Sequence, residues 1–310
     1  MSYPSSVIGY PVFTEKTGYP TKDLPAGRQV SGMTEKEVEF IHRHYLEKVK
    51  KIFNIHTLLL LATQLMITLF LISFIFFLAG IIQGMTGFGS ALIAMPLLSL
   101  FIDVKTAVPL CILQSVLMTS YLSFTLKDHM EKKKIVPLLI GSLPGIYCGA
   151  TLLKNVESDV IKLILGSLIV VYSVYSLFLK PKPKNLHKAW AYIAGFGTGF
   201  IGSAFSAGGP PAIIYTTLTG WSKDYIKATL TGFFLTSAII TAAVHAASGL
   251  TTALVLKYFF TSSAFVLIGV YAGTQLYKRV SSEGYIKVIL ILLVILGGMM
   301  CITALQGLNS

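Results

Sequence analysis

AGIIQGMTGFGSALIAMP, residues Ala79 to Pro96, and AGFGTGFIGSAFSAGGPP, residues Ala194 to Pro211, are two versions of one phrase. At a constant shift of 115, Ala79, Gly80, Gly84, Gly87 and Pro96 align with Ala194, Gly195, Gly199, Gly202 and Pro211. Glycine and proline at this density break a helix. Both stretches lie in strongly apolar sequence, and in hydrocarbon an unwound backbone is tolerated only where protein buries it or a polar cavity solvates it. A paired break in two halves of a membrane chain points to the binding site of a transporter.

The surroundings fix the class. The chain is 54% hydrophobic and 12% charged, about half the charge of an ordinary soluble domain. No Asp, Glu, Lys or Arg occurs from Thr57 to Ile102, a run roughly twice what one spanning helix needs. Further apolar runs cover Thr106–Leu126, Ile135–Leu153, Val160–Leu179, Ala189–Gly220, Ala228–Ala247, Tyr258–Leu276 and Tyr285–Leu305. The chain therefore reads as an all-α, polytopic membrane protein. Its expected organisation is two homologous halves of about four transmembrane helices each, with the glycine-broken segments meeting near the midplane.

Net charge is +12, and residues 52–310 hold 17 of the 25 basic but only 7 of the 13 acidic residues. Much of that excess sits in two short loops, 127–134 (KDHMEKKK) and 180–188 (KPKPKNLHK). Lysine-rich short loops stay in the cytoplasm, so topology accounts for the basic pI and no nucleic-acid partner is implied. Cys111, Cys148 and Cys301 all lie in apolar runs, without CxxC or zinc-type Cys/His spacing. They read as buried thiols, and neither a metal nor another cofactor is expected.

Residues 1–33 are polar and rich in Pro, Gly and Ser, a composition that favours disorder. Thr34-Glu35-Lys36-Glu37 fits a capping box. Val38, Ile41, Tyr45, Val49 and Ile52 follow at helical spacing. The expectation is an amphipathic juxtamembrane helix over about 35–53 at the membrane surface, its Lys48, Lys50 and Lys51 end on the cytoplasmic side. Residues 1–56 form the extension, 57–189 the first transmembrane half and 190–310 the second.

The repeat runs past the breaks. Gly145-Ile-Tyr147-Cys-Gly149 resembles Gly269-Val-Tyr271-Ala-Gly273, and each is followed by a short polar loop and another apolar run. These small-xxx-small pairs read as helix-packing sites. Two pass counts remain open. A broken segment that makes one crossing gives eight helices with both termini cytoplasmic; a broken segment that is a hairpin of two half-helices gives ten segments in inverted halves.

In the second break, Gly202, Ser203, Ser206, Gly208, Gly209 and Pro210 combine small residues, two hydroxyls and a rigid Pro-Pro end. A proline in a first turn starts a helix, and a helix N-terminus offers an anion free N–H donors and partial positive charge. In the first break the candidates are Gln83, Gly84, Thr86, Gly87 and Ser90. Gln114, with Ser115 beside it, lies in the next run and is expected to face the same cavity. Lys223 and Lys227 follow the second break and are expected to steer anions from water. No Asp or Glu lies inside a spanning run, and His245 reads as an interhelical hydrogen bond rather than a proton relay. No P-loop, HExxH or Ser/His/Asp arrangement is present, so no enzyme is indicated.

QGMTGFGSALIAMPLL (Gln83–Leu98) and GSAFSAGGPPAIIY (Gly202–Tyr215) resemble the paired signatures of the TauE/SafE sulfite exporter family, and the likeness extends over roughly residues 70–305. It implies a multi-pass permease of the inner or plasma membrane that moves sulfite, sulfonates or related organosulfur anions. From sequence, the function is a permease for a small anion, with a sulfur oxoanion as the expected substrate and the lipid bilayer as its other partner. The alternatives are a permease for a different small organic anion and a non-transporting membrane scaffold. Oligomeric state is not legible in the sequence.

Overall fold

The computed structural model describes residues 35–126, 132–178, 186–219, 223–277 and 282–309. The N-terminal stretch 1–33 and most of both lysine loops lie outside the described residues. Every described element is a helix, in the order α1 (Glu35–Thr86), α2 (Ser90–Leu98), α3 (Val104–Leu126), α4 (Lys132–Asn155), α5 (Ser158–Phe178), α6 (Ala189–Phe205), α7 (Gly209–Leu218), α8 (Lys223–Ala247), α9 (Ala253–Tyr277) and α10 (Ser282–Leu308). Residues up to Thr63 form one unit and Gln64–Ser310 another, and the helix contacts and the cavity described below lie within the second.

α1 begins at Glu35, where the sequence sets a helix start, but runs on to Thr86 instead of ending near residue 53. No Gly or Pro occurs between Thr34 and Ala79 to stop it. Seven described helices contain an apolar span long enough to cross a membrane, where the sequence suggested eight runs. The difference is Ala189–Gly220, which divides into α6 of 17 residues and α7 of 10. Neither reaches the roughly 20 residues of an ordinary spanning helix. Large apolar side chains such as Phe124, Phe178, Tyr147 and Phe260 point outward, as they do on a surface solvated by acyl chains.

Helix pairs meet through glycine. On α4, a β-carbon at Gly145 would overlap the Phe196 carbonyl of α6, and one at Gly149 the Phe200 carbonyl. On α1, Gly80 and Gly84 lie against Val266 and Val270 of α9, whose own Gly269 and Gly273 lie against Phe77 and Ile81. In both pairs the residue numbers rise together, so the helices run parallel. α5 and α10 run the other way: Gly307 lies against Asp159, while Cys301 and Gly297 lie against Gly166. Without a hydrophobic drive between helices in lipid, such close approach is the main source of association.

The antiparallel α5/α10 pair gives a test. Ser167 Oγ lies 3.7 Å from Cys301 Sγ. Ser167→Cys should therefore form a disulfide with native Cys301 on mild oxidation, in a chain whose other cysteines are replaced. Cleavage engineered into the 179–185 loop should then release two fragments only after reduction. Fragments that separate without reductant would mean that α5 and α10 are not paired this way.

Candidate functional site

α1 stops at Thr86 because the next turn is glycine-shaped. Gly87 and Gly89 have φ of +84° and +88°, a region that a β-carbon disfavours. The Thr86 hydroxyl donates to the Ile82 carbonyl at 2.8 Å and also to the Phe88 carbonyl, and it accepts the Phe88 N–H at 3.2 Å. α2 then starts at Ser90, whose hydroxyl donates to Gln83 Oε1. The second turn is built differently. Ser206 itself takes the left-handed conformation, φ 57°, with its N–H on the Gly202 carbonyl at 2.8 Å. α7 folds back along α6: Gly208 sits against the Thr198 carbonyl and Gly202 Cα, and Pro211 against Gly197.

The two turns face one another across a cavity of about 80 Å³, room for roughly two or three waters at about 30 Å³ each. The first turn contributes Gln83, Phe88, Gly89 and the first residues of α2, Ser90, Ala91 and Leu92. The second contributes Thr198, Gly202, Ser206, Ala207, Gly208 and Gly209. α3 adds Ile112 and Ser115, and α8 adds Phe234, Ser237, Ala238 and Thr241. None of these side chains carries a charge.

What the lining offers is donors. The first N–H groups of a helix have no partner within it, and the starts of both α2 and α7 line the cavity. Of the two, α2 is the richer, because Pro210 and Pro211 remove two N–H groups from the first turn of α7. Ser90 occupies Gln83 Oε1, which leaves the Gln83 amide N–H groups for another acceptor. The hydroxyls of Thr198 and Ser206 are buried and make no hydrogen bond. Polar groups left unpaired in a membrane interior are expensive. A cavity that gathers donors and helix N-termini, with no carboxylate, suits an anion.

Of the residues singled out from sequence, Gln83, Ser90, Gly202, Ser206, Gly208 and Gly209 line this cavity, as does Ser115. The others serve different ends. Gly84 is a contact with α9, and Gly87 packs on the Lys227 stem. Thr86 braces the turn. Gln114 joins α3 to α9, its Nε2 donating to Ser262 Oγ at 2.7 Å and to the Phe259 carbonyl at 3.2 Å. Pro210 lines a separate apolar cleft with Leu92, Ile201 and Tyr172. Ser203 is fully buried, with its hydroxyl 3.2 Å and its carbonyl 3.0 Å from His245 Nε2. His245 therefore makes the interhelical bond that the sequence suggested. Lys227, expected at the mouth, instead reaches inward and donates to the carbonyls of Gly84 and Met85 at 3.2 Å each.

Sequence reasoning missed Thr198, Ser237 and Thr241. A signal for the last two exists. At a shift of 122, Ser115 and Thr119 of α3 align with Ser237 and Thr241 of α8. In both helices the threonine hydroxyl donates to the serine carbonyl one turn earlier, at 2.6 Å and 2.8 Å.

Membrane-length helices thus surround an uncharged cavity lined by hydrogen-bond donors, between the turns that separate α1 from α2 and α6 from α7. Residues 72–300 match the family described as Sulfite exporter TauE/SafE, and the chain belongs to this family of membrane transporters, which are not enzymes. No curated protein and no solved structure matches the chain.

Proposed function

We propose that this chain is a permease of the cell membrane for a small sulfur oxoanion, sulfite or a compact sulfonate, bound between the two helix turns. The observation that carries the reading is the cavity itself: two helix N-termini and two unpaired hydroxyls, Thr198 and Ser206, around one space with no charged side chain in its lining. A scaffold protein has no need of such a group of unsatisfied donors.

Two inverted halves make the alternation of access reasonable. In this reading α1/α2 and α6/α7 are hairpins, each followed by three crossing helices. The parallel α1/α9 and α4/α6 contacts, the antiparallel α5/α10 contact and the matched Ser/Thr pairs of α3 and α8 support it. A chain of eight full crossings would make α5 and α10 parallel. The lysine loops 127–134 and 180–188 then share the cytoplasmic face. Within the bundle, α1 enters and α10 leaves at the outer face, in place of the two cytoplasmic ends of an eight-crossing chain. Cysteines at Lys132 and Lys184 should react with impermeant maleimide only when the inner face is open; labelling in intact cells would reverse the topology.

Uptake of labelled sulfite into proteoliposomes tests the function. Thr198→Val and Ser206→Gly each remove one hydroxyl, the second without straining a positive φ. Each should weaken apparent affinity about ten-fold, the worth of a hydrogen bond of about 1.5 kcal/mol to a charged group. Uptake of another organic anion in place of sulfite or sulfonate would keep the site and change the substrate. Unchanged affinity in both variants would move the site elsewhere.

A further inference from the structure

α8 touches the end of the first arm of both hairpins, once from each of its own ends. Near its start, Lys227 Nζ lies 3.2 Å from the carbonyls of Gly84 and Met85, in the last turn of α1. Near its finish, His245 Nε2 lies 3.0 Å from the carbonyl of Ser203, in the last turn of α6. The two side chains are 18 residues apart on one helix, about 27 Å at 1.5 Å per residue, close to the thickness of a bilayer core. Between them α8 presents Phe234, Ser237, Ala238 and Thr241 to the cavity.

These bonds meet a defined need. The last four carbonyls of a helix have no partner inside it. In α1, the Gly87 N–H takes the Gln83 carbonyl, but the Phe88 N–H that would reach Gly84 is turned to Thr86 Oγ1. Gly84 and Met85 are thus left over, and both are taken by Lys227. In α6, the Ser206 N–H takes the Gly202 carbonyl, and the next orphan, Ser203, is taken by His245. The corresponding residue on α3 does something else. Lys105 aligns with Lys227 at the shift of 122, yet its Nζ donates to the Lys154 carbonyl at the end of α4. Both hairpins therefore depend on α8.

We propose that Lys227 and His245 are positioning residues that latch the two hairpin turns onto opposite ends of α8, so that release of one latch opens the anion cavity to one face of the membrane and release of the other opens it to the opposite face. The proposal rests on the transporter reading above for its purpose. The Lys227 ammonium also offsets the negative end of the α1 dipole beside an anion site. Breaking the Lys227 latch strands two buried carbonyls, and breaking the His245 latch strands one. Each loosened turn gains freedom to swing out to water, where those carbonyls find partners.

The test uses the full chain in proteoliposomes without substrate, so that its outcome is independent of which anion is carried. With native cysteines replaced, a reporter cysteine at Phe88 or Ala207 is exposed to an impermeant maleimide from either face. Lys227→Gln should raise labelling of the Phe88 reporter at least ten-fold from the cytoplasmic face only. His245→Leu should raise labelling of the Ala207 reporter comparably from the outer face only. Lys227→Arg and His245→Gln, which keep a donor at the same reach, should retain the parental pattern. This rescue separates a latch from mere loss of folding, and it remains readable if either disruptive variant fails to insert. Labelling that rises from the same face in both variants, or does not change, overturns the proposal. So does a parental pattern lost in the conservative pair. Failure of sulfite uptake alongside the expected labelling would reject the substrate and leave the latches standing.

Discussion

Gly208→Ala is expected to abolish anion binding, while Gly209→Ala should leave it within about two-fold, as for a substitution that meets little resistance. The two glycines are adjacent, and sequence alone gives both the same role. The structure separates them. A β-carbon on Gly208 would overlap the Thr198 carbonyl and come within 2.8 Å of Gly202 Cα, all of it backbone. A β-carbon on Gly209 would meet only Ile213 Cδ1 at 3.2 Å, the far end of a flexible side chain. Because α7 folds back along α6 at this point, relief at Gly208 must lift α7 away. That shift separates the α7 N-terminus and the Ser206 hydroxyl from the Thr198 hydroxyl. Overpacking costs about 1–3 kcal/mol even where side chains can move, so the affinity loss against rigid backbone should exceed about 100-fold. Equilibrium binding of labelled sulfite to each purified variant measures this. Equal effects at both positions would mean that α7 does not lie against α6.

Gly199→Leu should prevent folding, and Gly298→Leu should be tolerated. A β-carbon at Gly199 would collide with the Ser142 carbonyl of α4, in the same helix pair where Gly145 meets Phe196. A leucine there forces α4 and α6 apart along their whole contact. In lipid that contact is made of van der Waals packing, with little hydrophobic gain to replace it. The cost should be on the order of 3 kcal/mol or more, the upper range for overpacking. Gly298, on α10, has no atom within 4 Å of an added β-carbon. The measurement is the monodisperse fraction and thermal midpoint of each variant in detergent. A folded Gly199→Leu protein would mean that the glycine is not a packing contact.

Much of the architecture was legible in the residues. Apolar runs, lysine loops and duplicated glycine phrases specify a helical membrane chain with two interruptions, because lipid admits few other solutions for backbone polar groups. Gly145, Gly149, Gly269 and Gly273 were readable as packing sites from their spacing. Gln83, Ser90, Ser206 and Gly208 were readable as cavity residues because hydroxyls, amides and glycines beside a helix break have few other uses in hydrocarbon.

Only the tertiary structure sorted those residues by task. Ser203 and Ser206 are three apart in one glycine-rich turn, yet one faces His245 and the other the cavity. Residue type cannot make that distinction; the rotation of the last turn of α6 against α8 does. Lys227 follows an apolar segment, as a loop lysine would, but its direction was decided by two carbonyls of α1, 142 and 143 residues earlier in the chain. In the reading proposed above, the choice of ten segments over eight crossings likewise rests on the direction of α10 past α5, a long-range contact with no local sequence signature. Sequence determined what each segment must satisfy in a membrane, namely its own backbone. Which distant partner satisfies the groups left over at the helix ends is a property of the packed bundle.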